Sequence, residues 1–516
     1  MSAATFISRI LGYIKDMILA GYFGASAKSD VFFVAFRIPN LLRELFAEGS
    51  MSSAVIPVLA ETQTREGREA ANRLVRAVLL VLLLAVGTIC ILGIICAPVI
   101  VTLIAPGFLD EPAKFSDAVL LTRIMFPFLL FISLASLVMG ALNTRGVFFI
   151  PALAPALLNI VTIVCIVALA AQFANPIVAV AIGIVLGGLV QFLFQVPAFW
   201  RRGFVFRGAG AERLTFRQAL SHPGLKRIGT LVVPVTFGMA VAQINIFVST
   251  ILASYLVEGS ITYLYYSMRL VQFPIGIFGV AMGMAILPAL SEHAAKKEFG
   301  MLKEDFSFAL RLLFFITVPA MVGLIALQMP IVNTLFQRGE FTHAAAVATS
   351  QALMYYAIGI WAIVGVRTIT STFYALQDTK TPVKIAACGV LINIVSSIAL
   401  MGSMQHNGLA LANSIAAAVN FLLLFYFLRK KLGGVGTRRI IASFAKTVTA
   451  AAVMGATGWF ATQSELWTTS GKSGLKAISL AGAICGLFAL YLVVAQLLKS
   501  EELGYMVQKV KAKLGK

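Results

Sequence analysis

The chain has 516 residues, 59% of them hydrophobic and only 12% charged, with a formal net charge of +20. Long apolar runs recur from end to end, which excludes a soluble domain and places the chain among all-α polytopic membrane proteins. The runs are too continuous for outer-membrane strands, which alternate over about ten residues.

Fourteen spans are expected, at about 5–24, 31–60, 76–104, 118–142, 149–172, 176–200, 228–257, 260–290, 305–329, 346–376, 382–403, 407–428, 440–462 and 475–498. The first carries charges and lacks a small-residue cleavage site, so no removable signal is expected. Charge is concentrated between Ser8 and Glu61, where Arg9, Lys15, Asp16, Asp30, Arg37, Arg43, Glu44 and Glu48 interrupt membrane-like sequence. Each would cost roughly 2.5–3.5 kcal/mol at bilayer depth, so such groups face a protein interior or a watery cavity. On an ideal helix Arg9, Gly12 and Asp16 share a stripe, with Lys15 about a third of a turn round. Asp30, Arg37, Asn40, Glu44 and Glu48 share a face of the second helix, which Pro39 should kink. These residues read as one wall of a hydrated cavity.

Basic residues gather between spans and are not interleaved with aromatics, so nucleic acid is not the expected partner. With the N-terminus inside, the inner loops and tail hold 27 basic residues and the outer loops 4, namely Lys28, Lys114, Arg338 and Lys472. That bias predicts both termini on the cytoplasmic side. Cys90, Cys96, Cys165, Cys388 and Cys485 lie in apolar spans and read as small hydrophobes. The four histidines are scattered, which argues against a metal site or a nucleophile–His pair.

The chain also repeats itself. Ala141-Leu142-Asn143 and Asn159-Ile160-Val161 return as Ala375-Leu376-Gln377 and Asn393-Ile394-Val395. Ile56-Pro57-Val58-Leu59-Ala60-Glu61 returns as Leu287-Pro288-Ala289-Leu290-Ser291-Glu292, and Arg37 falls near Arg269. Six helices per repeat is an even number, so two lobes should lie in the same orientation about an axis along the membrane normal. The expected organisation is an N-lobe at 1–200, a cytoplasmic amphipathic linker at 201–227, a C-lobe at 228–430, a terminal helix pair at 431–498 and an amphipathic tail at 499–516.

Arg269 enters the eighth span from outside and lies about ten residues deep, roughly 15 Å at helical rise. Arginine at that depth in two lobes suits a polyanion, because guanidinium pairs bidentately with phosphate oxygens. Arg9, Lys15, Arg43, Arg269 and Asn40 are therefore candidate ligand contacts. Asp16, Asp30, Glu48 and Arg37 are candidates for gating or charge balance; Arg37 and Glu44 also suit plain structural ion pairs. Arg123, Arg311, Lys446 and Lys476 lie near span ends and are expected to snorkel, whereas Arg367 sits mid-span. No acid occupies the middle of spans 7 to 14, leaving Gln243, Asn245, Thr236 and Asn393 as polar candidates there. Transport could then draw directly on the membrane potential, about 2.3 kcal/mol per charge per 100 mV.

Several motifs carry a family resemblance: Ser8-Arg9-x-x-Gly12, Asp16, Phe23-Gly24-Ala25, Asp30-x-Phe32-Phe33-Val34-Ala35-Phe36, Pro39-Asn40-Leu41-x-Arg43, Phe46-Ala47-Glu48-Gly49, Arg269-Leu270-x-x-Phe273-Pro274 and Gln377-Asp378-x-Lys380-Thr381-Pro382. In these the chain resembles the MurJ (MviN) family of lipid II flippases, within the MOP exporter superfamily. The resemblance implies fourteen helices in two six-helix lobes, with a final pair forming a lipid-tail groove. It implies alternating access that moves the undecaprenyl-diphosphate-linked precursor of peptidoglycan across the bacterial inner membrane. The family's cavity cations map to Arg9, Lys15, Arg43 and Arg269, with Asp30 as a further important acid. Lys15 departs from the family's usual arginine, keeping the charge but not the fork. Lipid II, membrane lipids and the cell-wall synthesis machinery are the implied partners of a monomer. No cofactor is expected, and the driving force is the membrane potential or a monovalent cation. The rival readings are a polysaccharide-lipid flippase or a drug/cation antiporter of the same architecture, and, from another class, a scaffold for cell-wall enzymes. An antiporter should show mid-cavity acids and few arginines; a scaffold should tolerate neutralised arginines.

Overall fold

The computed structural model describes residues 2–45, 54–206, 216–276, 280–469, 471 and 473–513, and among them all regular structure is helical. Contacts divide the chain into two units, Met1–Glu258 and Gly259–Lys516. The first contains α1 (Ser2–Phe23), α2 (Ala27–Leu42), α3 (Ile56–Glu66), α4 (Arg68–Ile95), α5 (Ala97–Ile104), α6 (Pro112–Thr144), α7 (Phe149–Leu169), α8 (Val178–Arg201), α9 (Phe216–Ser221) and α10 (Pro223–Ser254). The second contains α11 (Ser260–Pro274), α12 (Val280–Ala295), α13 (Phe299–Ala326), α14 (Gln328–Phe336), α15 (His343–Ala357), α16 (Ile360–Ala375), α17 (Lys380–Met404), α18 (His406–Leu432), α19 (Thr437–Ala461), α20 (Ser473–Leu497) and α21 (Glu501–Lys513).

Ten helical stretches among the described residues are long and apolar enough to cross a membrane. Three of the other four expected spans carry charge. The span at 5–24 is α1, that at 31–60 is divided between α2 and α3, and that at 260–290 between α11 and α12. The span at 228–257 lies in α10, which is apolar over Gln243–Ser254. Of the segments expected to be special, Glu48 and residues 207–215 of the linker lie outside the described residues.

The repeat extends to the ends of helices. Helices α4 and α13 begin 231 residues apart and end 231 residues apart, and so do α6 and the α15–α16 pair. Packing follows the same order within each unit. In the first, α2, α4 and α8 pack on α6, and α7 packs on α8; in the second, α11 packs on α15, α13 and α18 on α16, and α17 on α18. Small residues allow the closest approaches, as hydrocarbon offers no hydrophobic drive between helices. A Cβ on Gly187 would stand 2.9 Å from the Leu158 carbonyl oxygen, and one on Gly408 2.6 Å from that of Leu400. Even the caps correspond. Gly146 (φ +72°) ends α6 with Val147 N–H donating to Leu142 O at 3.0 Å. Gln377 (φ +58°) ends α16 with Asp378 N–H donating to Phe373 O at 2.9 Å. Both are left-handed helix terminations of the kind that normally favours glycine.

Asp378 then starts α17, accepting from the Thr381 amide at 3.1 Å and the Thr381 hydroxyl at 2.9 Å. Its carboxylate also meets Lys431 Nζ at 2.6 Å. The Lys431 hydrogen bond, reinforced by those from Thr381 and opposed by partial burial, holds the carboxyl down at about 2. An ordinary aspartate titrates near ~3.9, so this contribution is complete above that value and lost as pH falls through the native one. Asp378→Asn should therefore cost about 1 kcal/mol at neutral pH. The gap in thermal stability between variant and parent should close as pH falls from about 4 towards 2.

The cations expected to snorkel each have a partner. Arg123 Nε donates to Ile94 O at 3.2 Å, and Lys446 Nζ to Lys499 O at 3.2 Å. Lys476 is 2% exposed and donates to the Thr469 carbonyl. Arg311 pairs with Glu501 at 2.6 Å and Glu502 at 3.0 Å. Depth along a helix can be counted from sequence, but a partner far along the chain cannot.

Candidate functional site

In the first unit the charged residues lie on two helices that are fixed from outside. Helix α1 packs on α7, where Asn159 Nδ2 donates to the Ser8 carbonyl at 3.3 Å. On α1, Asp16 is 2% exposed and Lys15 14%, with Lys15 Nζ 3.2 Å from Asp16 Oδ1. The acid is therefore compensated locally, as a buried carboxylate must be. Arg9, two turns nearer the N-terminus on the same stripe, is exposed.

Helix α2 is pinned at its start. Ser26 Oγ donates to Phe23 O at 2.7 Å, Ser29 Oγ to Gly24 O at 2.8 Å, and the Ala27 amide to Glu258 Oε1 at 2.6 Å. Two acids thus serve one helix N-terminus: Glu258 from outside, and Asp30, 2% exposed, in the first turn. Both complement the positive end of the helix dipole. Residues Val31–Ala35 are buried, and the helix continues through Pro39 before its hydrogen bonding loosens into a π turn at residues 43–45. A proline removes an i→i−4 bond and favours such a change. Arg37 is half-buried on this helix.

At the far end of α2 a polar cluster forms. Arg43 Nε donates to Asn40 Oδ1 at 3.1 Å, and Asn40 Nδ2 donates to Glu44 Oε1 at 3.2 Å. Gln243 Nε2 of α10 donates to Glu44 Oε2 at 2.6 Å. The direct Arg43–Glu44 approach is looser, 3.9 Å, with the two side chains 24% and 31% exposed. Asn40 thus orients the guanidinium, while Glu44 is held by two amides and only weakly by the cation. Both side chains of the pair are partly exposed, so water reaches them.

The second unit supplies Arg269. It is half-buried on α11, five residues before Pro274, in the turn after the buried Tyr266. Ser267 Oγ donates to Tyr263 O at 2.6 Å and to Thr349 O at 2.8 Å, fixing α11 against α15. Arg367 is exposed on α16. Among the described residues no three His, Cys, Asp or Glu side chains gather as metal ligands.

The structure therefore brings Lys15 to Asp16, and Asn40 to Arg43, within one unit; Arg269 belongs to the other. Sequence reasoning treated Glu44 as an ordinary ion-pair residue and Gln243 as a remote polar candidate, and missed that they meet. Nothing along the chain signals that bond, because the two residues are 199 positions apart.

Comparison with known proteins gives this charge pattern a context. The profile of the lipid II flippase MurJ family matches residues 19–502. Lipid II flippase MurJ of Burkholderia cenocepacia is 36% identical over 490 residues, covering 95% of this chain and 94% of that one. A probable lipid II flippase MurJ of Vibrio cholerae is 37% identical over 508 residues, covering 96% and 95%. A solved lipid II flippase MurJ in an inward closed conformation superimposes with a TM-score of 0.77 at 28% identity, over 96% of this chain and 98% of that one. An inward-facing multidrug-resistance MATE transporter of the MOP superfamily matches in fold, with a TM-score of 0.67 at 18% identity over 82% and 94%. Full-length identity at this level, joined to cationic helices in the positions the motifs occupy, leaves one assignment: the chain belongs to the lipid II flippase MurJ family.

Proposed function

We propose that this protein is a lipid II flippase, moving the undecaprenyl-diphosphate-linked precursor of peptidoglycan between leaflets of the bacterial cytoplasmic membrane by alternating access. The observation that carries the reading is the full-length identity to relatives of that name. The placement of basic groups on α1, α2 and α11, in a chain otherwise poor in charge, agrees with it. Arg9, Lys15, Arg43 and Arg269 attract the diphosphate, and Asn40 sets the angle of Arg43. Asp16, Asp30, Glu48 and Arg37 balance charge or gate. Residues 1–200 and 228–430 act as the two lobes, and 431–498 as the groove for the lipid tail. Both termini face the cytoplasm, and the membrane potential or a monovalent cation drives the cycle without a cofactor. The protein works as a monomer, beside the cell-wall synthesis machinery.

The test is complementation. The chain should restore growth to a bacterium depleted of its own flippase and return labelled lipid II to the outer leaflet. Failure of both with a well-expressed protein overturns the assignment. Gln243→Leu removes the short bond to Glu44, and a hydrogen bond to a charged group contributes about 1.5–3 kcal/mol. Glu44 is then free to pair more tightly with Arg43, and initial flipping rates should fall on the order of tenfold. Gln243→Glu, which places a second acid there, should be at least as damaging.

A further inference from the structure

The C-terminal helix α21 is tightly seated at one end, and beyond Leu503 its described side chains are exposed. Its seat is built from three elements of the second unit. At the end of α20, Lys499 (φ +51°) turns the chain, and Ser500 N–H closes the corner on Ala495 O at 3.1 Å. Lys446 of α19 holds that corner by donating to the Lys499 carbonyl. In the next turn Glu502, 2% exposed, accepts from Arg311 at 3.0 Å, Ser443 at 2.9 Å and Ser500 at 2.9 Å. Since α20 is a membrane-crossing stretch that ends at Leu497, the corner sets α21 down where the hydrocarbon stops.

Beyond the seat the residue order is strongly two-sided. At 100° per residue, Leu503, Met506 and Val507 share one stripe, with Lys509 on one border and Lys511 on the other. Gln508 and Ala512 lie opposite. Leu503 is half-buried, but Met506 and Val507 are 39% and 42% exposed. Tyr505 packs edge-on against Phe308 at 4.7 Å, and Lys509 lies over the Tyr505 ring at 5.2 Å. An apolar stripe flanked by lysines is the pattern of a helix lying in a lipid–water interface, its cations toward anionic headgroups.

We infer that α21 lies in the membrane surface, its Leu503–Met506–Val507 stripe among the acyl boundary and Lys509 and Lys511 on anionic phospholipid headgroups, so that the seat at Arg311 is coupled to leaflet charge. The occupant is lipid because the stripe continues from the end of a membrane-crossing helix and its flanks are basic. Nothing in this depends on which molecule the protein transports.

The full chain is reconstituted in vesicles of phosphatidylcholine, with or without phosphatidylglycerol. Nitroxide labels are placed at Met506→Cys or Gln508→Cys after the exposed Cys96 and Cys485 are replaced by alanine. In phosphatidylglycerol vesicles the label at 506 should be open to oxygen and shielded from a water-soluble nickel complex, and the label at 508 the reverse. That contrast should fall several-fold in neutral vesicles, or when Lys509→Gln and Lys511→Gln are combined. Hydrogen exchange on the unaltered chain gives an independent readout, with amides of 503–513 slower in phosphatidylglycerol vesicles. A label at 506 open to nickel in both membranes, or shielded from both reagents as beneath a protein partner, overturns the inference, as does exchange that ignores lipid charge.

Discussion

Combined replacement of Arg9, Arg43 and Arg269 by alanine should abolish lipid II movement while leaving the protein folded and in the membrane. A charge-assisted hydrogen bond is worth about 1.5–3 kcal/mol, so loss of even one contact to a diphosphate lowers transport roughly tenfold or more. Three lost together should exceed ~100-fold, although contacts to one ligand do not add simply. Lysine at Arg43 should recover part of the activity: it restores charge but cannot be oriented by Asn40 as Nε is, at 3.1 Å. The control is Arg123→Ala, which removes a cation tethered to the Ile94 carbonyl and should leave transport unchanged. Initial rates of outer-leaflet lipid II exposure decide the matter. Parental rates from the triple variant would mean that the basic groups of α1, α2 and α11 do not handle the ligand.

The second large effect is on stability. Arg311→Ala strands Glu502, which is buried against α13 and α19 with its other bonds to Ser443 and Ser500. Removing one partner of a buried pair costs about 3–5 kcal/mol, because the remaining charge is uncompensated. The same arginine holds the Glu501 carboxyl below its ordinary range. Thermal unfolding in detergent should drop accordingly, and protease should cut the tail sooner. Adding Glu502→Gln to Arg311→Ala should return most of the loss. A change within about 0.5 kcal/mol, the range of ordinary surface substitutions, would show the pair to be solvated.

Much of the architecture was legible in the sequence, for definite reasons. Apolar length marks a crossing, and the match of Ile56–Glu61 to Leu287–Glu292, 231 residues on, registers the repeat that α4 and α13 then reproduce at both ends, whereas the triplets around Asn159 and Asn393, 234 apart, fall three residues out of that register. The exceptional character of α1, α2 and α11 was readable too, because charge inside apolar sequence is costly. Azimuth and partnership were not. The stripe through Arg9 and Asp16 is real, yet one end is exposed and the other buried, since neighbouring helices cover only part of it. Arg311 and Lys476 counted as span-end residues, and their partners Glu502 and Thr469 became visible only when the chain was folded. The Gln377-Asp378-x-Lys380-Thr381-Pro382 motif carried a family likeness; its residues make a helix stop followed by a helix start.

That stop has a counterpart in the first unit. Gly146 occupies the left-handed corner at no steric cost, whereas Gln377 sits in the same corner against a penalty of roughly 1–2 kcal/mol for a residue with a Cβ. The two repeats share a backbone path at this corner, but only the first places glycine there. Gln377→Gly should therefore raise thermal stability, because the second repeat turns this corner with a side chain that the left-handed conformation disfavours.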